Sequence, residues 1–141
     1  MKTFKILLLL MSLLISLVPL SCNKTVDTLS RTGQSDTSLT SIPLPEALKN
    51  GKPTLAEFGR GTCIPCKEMK PILEYLALEY KGKLNVPIVS VDEYSSLTNY
   101  YRVMAIPTQI VFDGSGKEVF RHIGVWPKEQ IIAQLNKLGI K

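Results

Sequence analysis

The chain has 141 residues, of which 45% are hydrophobic and 21% are charged, and its net charge is +5. This length and composition favour one ordinary globular domain with short extensions. Without Lys2 and Lys5, which belong to the N-terminal segment, the net charge is only +3. A charge this small gives no indication of nucleic-acid binding, and we expect none.

The N-terminal segment has the pattern of an export signal. Lys2 and Lys5 precede an apolar run over residues 6–20, and Cys22 follows shortly after it. The run is shorter than the roughly 20 apolar residues that a membrane-spanning helix needs. We therefore predict that residues 1–21 are a signal peptide, with a retained anchor helix as the alternative.

The end of this segment, Val18-Pro19-Leu20-Ser21-Cys22, resembles a bacterial lipobox, in which the cysteine is lipidated and becomes the mature N-terminus. The small residue before Cys22 fits this pattern, whereas Pro19 occupies the place of the usual apolar residue. We expect lipidation at Cys22, followed by a flexible Ser- and Thr-rich tether over residues 22–41. The protein is then exported to the bacterial cell envelope or periplasm and anchored to a membrane by lipid; simple secretion is the alternative.

From residue 42 to residue 141 the hydrophobic pattern predicts one α/β domain with a mixed β-sheet. Asp113-Gly114-Ser115-Gly116 indicates a hairpin turn, and Gly124 indicates a bulge in the strand that precedes it. The predicted elements are, in chain order, a helix over 43–50, a strand over 53–58, a helix over 65–80, an interior strand over 86–91, a helix over 95–101, strands over 109–112 and 117–123, and a helix that begins at 127.

Cys63 and Cys66 lie between the first predicted strand and the long helix. In the first turn of a helix, residues at this spacing share one face, with Cα atoms about 5 Å apart, a distance that a disulfide accepts. The first thiol also faces unpaired backbone N–H groups and the positive end of the helix dipole, which favour the thiolate. The pair is therefore predicted to be redox-active, with a permanently closed structural disulfide as one alternative. A zinc site is the other, but His122 is the only histidine, so we expect no metal.

With these motifs the chain resembles the thioredoxin family over about residues 43–138. The resemblance implies the thioredoxin fold, an α/β structure whose central mixed β-sheet is flanked by helices on both faces. It also implies a thiol–disulfide oxidoreductase that acts on protein disulfides and needs no cofactor besides the Cys63–Cys66 disulfide. The matching positions are Cys63-Ile64-Pro65-Cys66, Lys67, Pro71, Asp92, Ile106-Pro107-Thr108 and Gly124.

The resemblance further implies roles for single residues. Cys63 attacks the substrate disulfide and Cys66 resolves the mixed disulfide, while Glu57 matches the buried acid beneath the second cysteine. Burial should raise the pKa of Glu57 and suit it to proton transfer; the alternative places this carboxyl at a strand end, in contact with water. Pro107 matches the family's cis-proline, with an ordinary trans proline as the alternative. The expected substrate-contacting residues are Ile64, Pro65, Ile106 and Pro107.

Several positions depart from the family pattern. Thr62 replaces the usual tryptophan, Ile64-Pro65 replaces the commonest Gly-Pro, and Ile88 stands where many members have a lysine near the acid. Arg60 is either a cation that lowers the pKa of Cys63 or an ordinary solvated side chain. We expect an exported reductase that receives electrons from a membrane thiol donor. The alternatives are a disulfide-installing oxidase of the same fold and a non-catalytic binding or chaperone module.

Overall fold

The computed structural model describes residues 43–141. The predicted signal peptide, the lipidation at Cys22 and the tether lie outside these residues. Among the helices of the described part, none has the length and apolar character needed to cross a membrane. The helices are α1 Leu44–Ala47, α2 Ile64–Glu79, α3 Ser95–Tyr100 and α4 Lys128–Lys137, and the strands are β1 Thr54–Gly59, β2 Ile88–Ser90, β3 Thr108–Phe112 and β4 Glu118–Ile123.

The strands form one four-stranded sheet in the order β2-β1-β3-β4. β1 pairs with β2 in parallel and with β3 antiparallel, and β3 pairs antiparallel with β4, so the predicted mixed sheet is confirmed. The predicted strand over 86–91 is shorter than expected, because β2 has only three residues, and it lies at an edge of the sheet that residues 43–141 form. Pro87 has no N–H to donate, and it separates β2 from the bridge that Asn85 makes with Thr54.

Helices cover both faces of the sheet, as the family resemblance implied. On one face, Leu55 packs in a hydrophobic cluster with residues of α2 and α4. On the other face, Ala56 and Phe58 pack with Leu44 of α1 and with partly buried residues of and around α3. Because side chains alternate along a strand, Glu57 points to the same face as Leu55. β1 therefore directs this carboxyl toward the long helix α2.

Gly124 ends β4 and does not form the predicted bulge. It has a positive φ of 96°, immediately after the last residue of the strand. A backbone in this region suits glycine and turns the chain out of the sheet. The Gly124 N–H then donates to the Pro107 carbonyl at 2.8 Å. The irregularity in the β3–β4 pairing lies instead between Val111 and Phe112.

Candidate active site

The two cysteines form a disulfide at the start of α2. Their Cα atoms are 5.3 Å apart, in agreement with the separation expected from the sequence. Cys63 is the N-terminal cap of the helix, and the Cys66 N–H donates to the Cys63 Sγ at 3.3 Å. Pro65 lies in the first turn, where the lack of an N–H costs little. The helix start therefore directs one backbone donor at the sulfur of the first cysteine.

The two cysteines differ in their access to solvent. Cys66 is buried, with 7% of its surface exposed, whereas Cys63 is half-buried. Ile64, between them, is 71% exposed and forms an apolar projection next to the disulfide. A substrate can therefore approach Cys63 more easily than Cys66. This arrangement is compatible with Cys63 as the attacking thiol, a role that stays a prediction.

Glu57 is buried in β1, with 2% of its surface exposed. It does not lie at a strand end in contact with bulk water, so that alternative is wrong. Burial raises its pKa from 4.5 to about 8, because the ionised carboxylate loses its hydration. On β2 the residue paired with Glu57 is Ile88, whose side chain has no charge to offset this effect. The carboxyl is therefore largely protonated at neutral pH in the oxidised protein.

Glu57 and Cys66 face each other across Gly59. A Cβ atom built on Gly59 would lie 3.3 Å from both the Cys66 Sγ and the Glu57 Oε1. These two atoms are therefore within twice that distance of each other. A surface recess of about 300 Å³ also reaches both residues. The structure thus places the acid beneath the second cysteine, where the resemblance put it.

Gln109 is a polar neighbour of Glu57 that the sequence analysis missed. It lies directly opposite Glu57 on β3 and is fully buried. Among the described residues, neither polar atom of its carboxamide has a hydrogen-bond partner, and neither does the Glu57 Oε2. The carboxamide still lowers the pKa of Glu57 against the larger effect of burial, and it does so as a nearby dipole without a fully formed hydrogen bond. The sequence signal was a lone amide in the apolar strand Gln109-Ile110-Val111-Phe112.

Arg60 forms a two-point ion pair with Asp92. Its Nε and Nη2 donate to the two carboxylate oxygens at 2.8 and 2.7 Å. Both side chains are about half exposed, so the pair contributes little to stability. The carboxylate nevertheless offsets the charge of Arg60. Of the two interpretations of Arg60, the structure therefore favours a surface side chain over a cation dedicated to Cys63.

Pro107 and Ile106 lie at the end of the sheet that leads to the disulfide. The Ile106–Pro107 peptide bond is cis, as predicted. β3 begins at the next residue, Thr108, which pairs with Phe58 near the end of β1. β1 then continues through Gly59 into the short loop before Cys63. Pro107 is buried and Ile106 half-buried, and contact of either with a substrate stays a prediction.

Comparison with known proteins identifies the family. The family model for thioredoxin matches residues 38–137. The chain belongs to the thioredoxin family. It is 40% identical over 98 residues to a thioredoxin of Alicyclobacillus acidocaldarius, a match that covers 70% of this chain and 92% of the relative. It is also 42% identical over 83 residues to a Staphylococcus aureus thioredoxin, with 59% of this chain and 79% of the relative covered.

A solved structure gives the same result. A mutant thioredoxin from Halobacterium salinarum NRC-1 is 26% identical and superposes with a TM-score of 0.61, covering 67% of this chain and 80% of that one. The thioredoxin fold is thereby confirmed. A thioredoxin-family chain with a Cys63–Cys66 disulfide at a helix start is a thiol–disulfide oxidoreductase. Within residues 43–141, no group of three or more His, Cys, Asp or Glu side chains is arranged to hold a metal ion.

Proposed function

We propose that this thioredoxin-family protein is an exported reductase of protein disulfides. The observation that carries the proposal is the asymmetry of the disulfide. Cys63 is half-buried at the helix start and is accompanied by the exposed Ile64, whereas Cys66 is buried over the Glu57 carboxyl. The Cys63 sulfur is therefore accessible to a substrate disulfide, and the Cys66 sulfur is placed to attack the mixed disulfide from inside the protein.

In the first step, the Cys63 thiolate attacks one sulfur of a substrate disulfide. A Cys63–substrate disulfide forms, the substrate disulfide breaks, and one substrate thiolate leaves. In the second step, Glu57 in its ionised form, which is the minor form at neutral pH, takes the proton of Cys66, and the Cys66 thiolate attacks the Cys63 sulfur. The Cys63–Cys66 disulfide forms and the second substrate thiolate leaves, so two electrons move from the protein to the substrate. A carboxyl with a pKa of about 8 suits this proton transfer, because its pKa is close to the working pH.

The surroundings of Cys63 favour reduction of substrates over oxidation. A strongly oxidising member of this fold needs a heavily stabilised thiolate. Here Ile64 offers no polar side chain, Pro65 has no N–H, and the charge of Arg60 is offset by Asp92. The helix start remains as the support of the Cys63 thiolate, with one backbone N–H directed at its sulfur. The dithiol therefore gives its electrons away readily.

Export and anchoring complete the proposal. The signal-like residues 1–21 and the lipobox-like ending at Cys22 support attachment to a membrane of the bacterial cell envelope. In that compartment the electrons come from a membrane thiol donor. The apolar residues Ile64, Pro65, Ile106 and Pro107 would contact the substrate protein.

The test is reduction of insulin driven by dithiothreitol. The wild-type protein should accelerate the precipitation of the insulin B chain, and Cys63→Ser should abolish the acceleration. Ile64→Ala keeps both thiols and removes the apolar projection, so it should retain a measurable but lower rate. A wild-type rate no greater than that of dithiothreitol alone would refute the reductase and favour the binding module.

A further inference from the structure

The recess beside the disulfide is bordered by basic residues on two sides. Its volume is about 300 Å³, and it is lined by loop residues that lead to Cys63 and by Cys66 itself. The basic residues in the lining are Arg60, from this loop, and Lys67 and Lys70, from α2. Lys67 and Lys70 are three positions apart on the helix, and Lys70 is four positions after Cys66, so the three residues are neighbours on one helix face. The two lysines therefore lie close to the disulfide.

The positive charge of this border is only partly offset. Asp92 holds Arg60 in a two-point ion pair. The Glu74 carboxylate lies 3.8 Å from the Lys70 ammonium group, and because both side chains are about half exposed, this loose contact offsets little charge. Within the described part of the chain, Lys67 makes no ion pair. Positive charge therefore remains at Lys67 and Lys70, on the α2 side of the recess.

Little negative charge lines the recess at neutral pH. Among the described residues, the only acid in its lining is Glu57. Burial raises the pKa of Glu57 to about 8, so its carboxyl is largely protonated at neutral pH. Ile88 and Ser90, which line the recess from β2, carry no charge. An anion that enters the recess therefore meets two ammonium groups and few opposing charges.

The exposure of the two lysines favours a tethered anion over a free one. Both side chains are exposed, and contacts with exposed charges stabilise a free anion only weakly in water. A side chain on a substrate segment that is already held at Cys63 has an effective concentration in the millimolar range, so a weak contact is enough to order it. The recess includes Cys66, whose sulfur is bonded to that of Cys63 in the oxidised protein. Side chains that flank the reacting sulfur of the substrate are thus presented to the recess.

We infer that this recess, through Lys67 and Lys70, binds an acidic side chain of the substrate protein beside the disulfide that is reduced. The inference rests on the proposed function, because it requires Cys63 to attack a protein disulfide. It adds a charge preference to the apolar contacts expected near Ile64: the preferred substrates carry Asp or Glu next to their reacting cysteine. A contact between exposed charges acts mainly on the rate of association and on the orientation of the partner. Lys67 and Lys70 are then residues that determine substrate specificity.

The test is the reaction of the reduced protein with three peptides that differ only in the residues flanking one cysteine, which are aspartate, asparagine or lysine. The peptide cysteine is joined to thiopyridine in a disulfide. The Cys63 thiolate attacks the peptide sulfur, a Cys63–peptide disulfide forms, and thiopyridine leaves and is followed by its absorbance. The aspartate peptide should react about fivefold faster than the asparagine peptide, the size expected of two exposed charge contacts, and the lysine peptide should be the slowest. Salt at about 1 M should remove most of this difference by screening.

The double variant Lys67→Gln/Lys70→Gln should lower the ratio of the aspartate rate to the asparagine rate to about one. Because both peptides meet the same thiolate, an effect of the substitutions on the reactivity of Cys63 cancels in this ratio. The matched control is Lys49→Gln/Lys52→Gln, which removes the same charge from exposed residues that precede the other end of β1. The control should keep the wild-type ratio. An unchanged ratio in Lys67→Gln/Lys70→Gln, or an equal fall in the control, would overturn the inference.

The same assay separates the inference from the proposed function. A wild type that reacts equally fast with all three peptides would overturn the charge preference and leave the reductase standing. A wild type that reacts with none of them faster than dithiothreitol does at the same thiol concentration would overturn both. Millimolar succinate tests for a free anion in the recess. If succinate removes the aspartate preference and sodium chloride of equal ionic strength does not, the recess binds free dicarboxylates, and the inference is overturned.

Discussion

Replacing Glu57 by leucine should stabilise the oxidised protein at neutral pH and slow its turnover. The carboxyl is buried on the α2 face of β1, and its direct neighbours on the flanking strands are Ile88 and Gln109. Neither side chain carries a positive charge that would stabilise the carboxylate. An apolar side chain of similar size removes a group whose ionised form the fold disfavours.

The size of the effect follows from the change in pKa. Glu57 has a pKa of 4.5 as an ordinary carboxyl and about 8 in the fold. Because the folded value is the higher one, protonated Glu57 contributes to the free energy of unfolding. This contribution is fully present below pH 4.5 and is lost as the pH rises to about 8. At about 1.4 kcal/mol for each pH unit in this window, the loss reaches about 3 kcal/mol by pH 7. Glu57→Leu has no such loss, so its advantage over the wild type grows with pH.

Urea unfolding of the oxidised protein between pH 4 and pH 9 measures this difference. Any packing cost of leucine is independent of pH and shifts the whole curve, whereas the ionisation effect changes its slope. Glu57→Gln is the matched control, because it also removes the ionisation but keeps the size and polarity of the side chain. The two variants should show the same pH dependence relative to the wild type. A difference that stays constant from pH 4 to pH 9, or a wild type more stable than Glu57→Leu at pH 7.5, would show that the carboxylate is solvated or paired.

Three further predictions concern single residues. Cys66→Ser should trap covalent complexes with substrate proteins on non-reducing gels, because the mixed disulfide on Cys63 is no longer resolved; trapping by Cys63→Ser instead would reverse the two roles. Gln109→Leu should raise the pKa of Glu57 further, because the opposing dipole is lost, and carbon-detected titration of the carboxyl measures this; an unchanged pKa would show that the carboxamide does not act on it. Cys22→Ala should release the protein from membranes and abolish fatty-acid labelling; a wild type that is unlabelled and soluble would leave simple secretion.

The sequence was sufficient for the parts of the fold that depend on local patterns. The helix over Ile64–Glu79 follows from its apolar spacing, and the β3–β4 hairpin follows from its turn residues. The place of β2 at the edge of the described sheet was not predicted, because an apolar run does not reveal how many strands flank it. The role of Gly124 was also missed, since a glycine after a strand has the same sequence signature whether it bulges the strand or ends it.

In the site, too, local sequence motifs predicted some residues, and only the pairing of distant strands revealed the others. The sequence identified Cys63, Cys66 and Glu57, because the family motif fixes their spacing along the chain. It did not identify Gln109, whose relation to Glu57 comes from the pairing of β1 with β3, far apart in sequence.

The measurement that tests the reductase most directly is the reduction potential of the Cys63–Cys66 disulfide, obtained by equilibration with glutathione over a range of ratios. The moderate stabilisation of the Cys63 thiolate predicts a value near that of thioredoxin, about −270 mV. The pair should then stay oxidised at glutathione ratios that already reduce a strong oxidant, and once reduced it should pass its electrons to disulfides of higher reduction potential. A potential above about −180 mV, in the range of isomerases and oxidants, would contradict the reductase and favour the oxidase of the same fold.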